Sequence, residues 1–152
     1  KPSMLGGASG AIAGLVAITP ACAVVGPMGA IVLGVIASII AYWAVTSLKV
    51  ALGYDDALDV FGIHGVAGIV GALGLAVLMA PQFGGVGFDD GVTMMSQFIV
   101  QAKSIGITIV WCGVISYVLF KIIDATIGLR VSEEDERTGL DSTSHGETAY
   151  RS

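Results

Sequence analysis

Between Val60 and Ala80 the chain carries no Lys, Arg, Asp or Glu, and long apolar runs of the same kind recur on either side. A helix needs roughly 20 apolar residues to cross the hydrocarbon core of a bilayer. Met4 to Val25, Met28 to Leu48 and Val60 to Ala80 each reach that length. A fourth run, Val92 to Leu129, is too long for one upright crossing, because as a helix it measures about 57 Å. Gln97, Gln101 and Lys103 polarise its first third, which leaves Ser104 to Leu129 as the crossing proper. The earlier part either continues as the same tilted helix or packs over the surface. Lys103 either snorkels to the outer interface or faces a subunit contact.

Composition agrees. Of 152 residues 55% are hydrophobic and only 12% charged, about half the roughly 25% usual in soluble domains. The fold class is therefore all-α and integral to the lipid bilayer. No basic patch exists to bind nucleic acid. No Cys/His cluster suggests a metal and no motif suggests a cofactor. Cys22 and Cys112 read as buried small hydrophobes. No second catalytic group accompanies the one histidine of the spans, so an enzyme is not expected. Lys1 and Pro2 lead straight into apolar sequence without a signal-peptide pattern, and the chain reads as a piece of something longer.

Punctuation sets the boundaries. Pro20, Gly26 and Pro27 separate the first two spans, and Gly53, Asp55 and Asp56 precede the third. Pro81 with Gly84, Gly85 and Gly87 follows it. With four crossings (about 4–25, 28–48, 60–80 and 92–129), Lys1, Lys49, Lys121, Arg130 and Arg137 fall on one side. The opposite loops, 20–28 and 81–91, have no Lys or Arg, so the C-terminal tail, 131–152, is expected in the cytoplasm.

Glycine punctuates the helices themselves. Gly6, Gly10 and Gly14 form a small-xxx-small ridge, and Gly62, Gly65, Gly68, Gly71 and Gly74 recur every third residue. In lipid, helices associate by close packing rather than by hydrophobic contrast, so such residues predict tight seams. Among them sits His64. An ionisable group in a span is costly and normally faces a pathway or the bundle interior. Helical spacing puts Val60, Phe61, Ala67, Gly68 and Gly71 on its face, which is small and apolar. Such a wall opposes a bare cation, while an imidazole can give and take a proton near neutral pH. Asp56 and Asp59 precede the span and suit capping of its N-terminus.

These residues resemble the C-terminal part of an ammonium transporter of the Amt/Mep/Rh family. The likeness lies in GASGAIAGLVAITPAC (7–22), DVFGIHGVAGIVGALG (59–74), GGVGF (84–88), ITIVW (107–111) and GLRVSEEDERTGLDSTSHGETAY (128–150). It implies the last four transmembrane helices of an eleven-helix fold built from inverted repeats, assembled as a homotrimer in the cell membrane, inner or plasma, with one narrow pore per subunit. His64 matches the second of two paired pore histidines, Asp56 a recurrent acidic position, and Val60 and Gly68 are pore-face candidates beside His64. The resemblance implies ammonium or ammonia as substrate, and paired histidines that titrate as a unit. Other readings are an Rh-like neutral-gas channel and an ammonium sensor that signals through its tail.

Hydrophobicity stops after Arg130. Ser132 suits an N-cap, with Glu133, Glu134 and Asp135 in the first turn of a short helix. Composition alone favours a solvated acidic tail. The resemblance at Gly139, Leu140, Asp141, His145 and Gly146 implies instead a regulatory tail docked on the cytoplasmic face, where a PII-type regulatory protein acts in many microbial members. Thr143 lies where plant relatives are phosphorylated.

Overall fold

The computed structural model describes residues 3–148. The described residues form helices and no strand. The helices are α1 (Met4–Ile18), α2 (Pro27–Leu52), α3 (Phe61–Leu78), α4 (Met94–Thr126) and α5 (Glu133–Thr138). Two of them contain π turns: Ala44–Leu48 within α2 and Phe61–Val66 at the start of α3. The chain divides after Ile107 into two units.

In the first unit α1, α2 and α3 pack on one another. Most of their buried residues fall at four-residue spacing: Ala13 and Ala17 on α1, Leu33, Ala37 and Ala41 on α2, and Ile63, Ala67, Gly71 and Leu75 on α3, with Ala44, Gly62 and Ala76 beside these rows. Most are alanine, and Leu33 is the largest fully buried side chain. A core of such small residues brings backbones together, which is how helices gain packing energy where lipid offers equal apolarity.

Glycines mark the closest approaches. A methyl on Gly71 would stand 2.2 Å from the Ala17 carbonyl oxygen, and one on Gly74 would stand 2.5 Å from Leu33 Cδ1. Gly14 and Gly34 face each other across α1 and α2, and Ser38 Oγ donates to the Gly10 carbonyl at 3.1 Å. The expected ridge on α1 therefore begins at Gly10, since Gly6 is exposed.

The apolar run from Met4 to Val25 is helical only as far as Ile18. Thr19 is still helical in its backbone (φ −51°, ψ −51°), but Pro20 after it brings no N–H to continue the ladder. Thr19 Oγ1 turns back to the Leu15 carbonyl, and residues 19–25 continue as turns. α2, α3 and α4 are long and apolar enough to cross a membrane, whereas α1 is shorter.

The loops bounding these helices meet. Val86 N donates to Val24 O at 3.0 Å, and Gly87 N donates to Met79 O at 2.8 Å. Gly26 and Gly85 allow this, for a methyl on Gly26 would stand 2.2 Å from Gly84 O and one on Gly85 2.3 Å from the Met79 backbone. The two loops without basic residues thus lie together at one end of the first unit.

α4 is one continuous helix of 33 residues, about 50 Å long. Reciprocal caps start it: Thr93 Oγ1 accepts from Ser96 N, and Ser96 Oγ accepts from Thr93 N. Gly128, at φ 81°, ends it, donating its N–H to Ile123 O. No residue of α4 is buried in the described chain, and Ile107, Trp111, Val114 and Phe120 are among its exposed apolar side chains. An uncovered apolar surface of that length calls for lipid or further protein. Cys112 on α4 and Cys22 in the first turn region are exposed, contrary to the expectation of burial, because no described element covers those faces.

In the second unit Ser132 caps α5 as expected, its Oγ accepting from Asp135 N at 3.1 Å and donating to Asp135 Oδ2 at 2.7 Å. Arg130 donates through Nε (2.7 Å) and Nη2 (3.1 Å) to the two oxygens of Glu136. That bidentate bond holds the Glu136 carboxyl below its ordinary value, ahead of the opposing effect of burial.

Two outcomes follow from this packing. Gly71→Ala should lower the stability of the protein by about 1–3 kcal/mol through overpacking, read as a fall in its melting temperature in detergent. Glu136 should keep its charge below the usual glutamate range, read by NMR titration of its carboxyl carbon, and Arg130→Ala should return it to that range. The pair's contribution is complete above the unfolded-state value and disappears as pH falls through the depressed folded-state value.

Candidate functional site

α3 begins with its N–H groups unsatisfied, as every helix does. Asp56 reaches forward to them: Oδ1 accepts from Val60 N at 2.8 Å and Oδ2 from Phe61 N at 2.9 Å. Of the two acidic residues expected to cap, Asp56 does so. Asp59 takes a different part. Its carboxylate accepts from Lys49 Nζ at 2.8 Å, and Lys49 also donates to the Asp56 carbonyl. Asp59 is the one non-glycine residue at positive φ (57°) among the described residues, a conformation aspartate tolerates better than most. Lys49, at the end of α2, therefore fastens both acidic residues that lead into α3.

His64 follows within the π turn Phe61–Val66 and is exposed. Val60 is 50% exposed and Gly68 half-buried. Ala67 and Gly71, which regular helical spacing puts on the histidine's face, are buried against the other helices instead. A π turn closes its hydrogen bond one residue later than an α turn. Residues before it are rotated relative to those after it, and His64 is swung off the buried stripe.

The glycines recurring every third residue have separate neighbours. Gly62 faces Val45, whose Cγ1 would stand 2.5 Å from an added methyl, with Ala44 Cβ at 3.5 Å. The two π turns thus touch at a glycine. Over Gly65 lies the Phe61 ring, 3.1 Å from where a methyl would stand, and Tyr54 meets that ring edge-on at 5.6 Å and 82°. The Tyr54 hydroxyl is buried with no hydrogen-bond partner among the described residues. Gly68 has only ordinary contact with Val16.

An apolar groove of about 390 Å³ runs between α2, α3 and the first turns of α4, with Ile36, Leu73 and Phe98 in its wall. His64 is not part of it. Lys103 is exposed on α4.

Sequence reasoning missed Lys49 as a partner of the acidic pair, and it missed the π turns of α2 and α3. A lysine and an aspartate ten residues apart across a Gly53 turn were the available signal for the first. The second has none in hydrophobic periodicity.

In the tail, Gly139 takes φ 104° after α5, and Leu140 leads into a π turn over Asp141–His145. Thr143 Oγ1 donates to Gly139 O at 3.2 Å, and Gly146, at φ 66°, closes the turn. All of Leu140, Asp141, Thr143, His145 and Gly146 are exposed.

A family model described as the Ammonium Transporter Family matches residues 1–150. The chain belongs to that family. It is 48% identical over 99% of its length to an ammonium transporter of Aquifex aeolicus. It is 42% identical over the same share to an ammonium transporter of Bacillus subtilis, and 39% to "Ammonium transporter Amt1" of Archaeoglobus fulgidus. It spans only 35–38% of the length of these relatives. The relatives are thus named as transport proteins, and the apolar helices of this chain are those of a membrane protein.

The role of Asp56 as a cap is open to test. Asp56→Ala in the parent should cost about 1 kcal/mol of stability, while Asp56→Asn, which still accepts a hydrogen bond, should cost less. Equal losses from both, measured by thermal unfolding, would mean that its charge acts elsewhere.

Proposed function

We propose that the parent of this chain carries ammonium nitrogen across the cell membrane as ammonia, through a narrow apolar pathway that His64 lines. The observation that carries this reading is the exposure of His64 on α3, off the seam where α3 closes on α1 and α2, in a chain whose relatives are named ammonium transporters. Its neighbours Val60 and Gly68 are apolar or small. A dehydrated cation is disfavoured beside them, and a small neutral solute is not. Ammonium shed of its proton fits such a passage, and an imidazole can pass that proton or return it. Asp56 contributes by holding the start of α3, and Asp59 through Lys49.

The parent is an eleven-helix subunit of a homotrimer, of which this chain supplies the last four helices. The one-sided distribution of Lys and Arg supports a cytoplasmic tail. The capped, ion-paired helix α5 and the turn after it give that tail a defined surface, suited to a PII-type regulatory protein.

His64→Ala in the full-length parent tests the reading. Methylammonium uptake in transport-deficient cells should be lost, or the discrimination against potassium should be, with trimer assembly unchanged. Native uptake and selectivity in that variant would remove His64 from the pathway. A parent that moves no methylammonium but still signals through its tail would be a sensor.

A further inference from the structure

Two π turns in one small bundle, packed against each other, need a reason. The turn stores a register shift and recurs at functional sites. Here Ala44–Leu48 of α2 and Phe61–Val66 of α3 meet where Gly62 presses on Ala44 and Val45. The second turn contains His64. Immediately after the first stands Lys49, whose ammonium binds the Asp59 carboxylate at 2.8 Å and the Asp56 carbonyl. Asp56 in turn holds the N–H groups of Val60 and Phe61, and the Asp59 carbonyl accepts from Ile63 N at 2.9 Å. An unbroken set of polar bonds therefore runs from Lys49 to the residue before His64, and the Gly62 contact sets the two turns side by side.

We infer that Lys49 is a positioning residue for His64. By fixing the residues that enter α3, it sets the rotation of the π turn and so the direction in which the imidazole leaves the helix. The functional consequence rests on the reading of His64 as the pathway's imidazole, whereas the mechanical link from Lys49 to His64 does not. The side chains of Lys49 and Asp59 are only 27% and 37% exposed, so this pair is better shielded from water than the tail's ion pair Arg137–Glu133, at 79% and 77%. A neutral residue at 49 leaves Asp59 without its counter-charge and frees α3 to unwind the π turn, which returns His64 toward the stripe of Ala67 and Gly71.

The test uses the full-length parent with labelled histidine, its His64 ring signals assigned by their absence in His64→Ala. In Lys49→Met those ring nitrogen signals should shift, and methylammonium uptake per assembled trimer should fall by up to about a hundredfold, the scale of loss that follows a small misplacement of a working group. Lys49→Arg, which keeps a cation and donors for both the Asp59 carboxylate and the Asp56 carbonyl, should leave the signals in place and uptake within about threefold. Should Lys49→Met fail to assemble, Lys49→Gln and Asp59→Asn replace it. Unmoved His64 signals in assembled Lys49→Met or Lys49→Gln, or a Lys49→Arg defect as large as that of Lys49→Met, would overturn the inference. Shifted signals together with a His64→Ala variant that transports normally would keep the link and discard the pathway.

Discussion

The first unit depends on the absence of side chains at a few helix positions. Gly71 lies against the carbonyl of Ala17 with no room for a methyl, and around that contact the stripes of alanine on α1 and α2 close on α3. In lipid, apolar side chains gain nothing by leaving their solvent, so attraction between helices must come from the number of atoms in contact. Removing bulk is the way to raise that number. The mainly alanine core follows from the same constraint, and so does the Ser38 hydrogen bond to the Gly10 carbonyl, which only closely spaced helices allow.

That closeness explains why much of the fold was legible in the sequence. Runs of apolar residues punctuated by Pro and Gly marked α2 and α3, because a bilayer imposes a length on its helices and turns need those residues. Ser132 as the cap of α5 was legible for a local reason: a side chain three residues from the N–H it binds needs no tertiary context. α1 ends at Ile18 although hydropathy continues to Val25, since Pro20 supplies no N–H to the helix ladder and turns follow.

The site was legible in part. An imidazole in an apolar span stands out whatever surrounds it. Its face did not stand out, because helical spacing assumes a constant turn and the π turn over Phe61–Val66 changes it. Ala67 and Gly71 were assigned to the histidine's face by a period that fails just before them. Asp56 and Asp59 looked alike as caps from sequence. They part company because Lys49 approaches from α2, and only a tertiary contact decides which carboxylate meets an ammonium and which meets the helix start.

The bond from Val86 N–H to the Val24 carbonyl has a different kind of consequence. Both partners are main-chain groups, present whichever amino acid is encoded there, proline at the donor position excepted. The latch between these loops is thus written almost wholly in shape. Their outward-pointing side chains are at liberty to be rewritten for whatever medium or cargo they meet, while Gly26 and Gly85 keep the clasp shut beneath them.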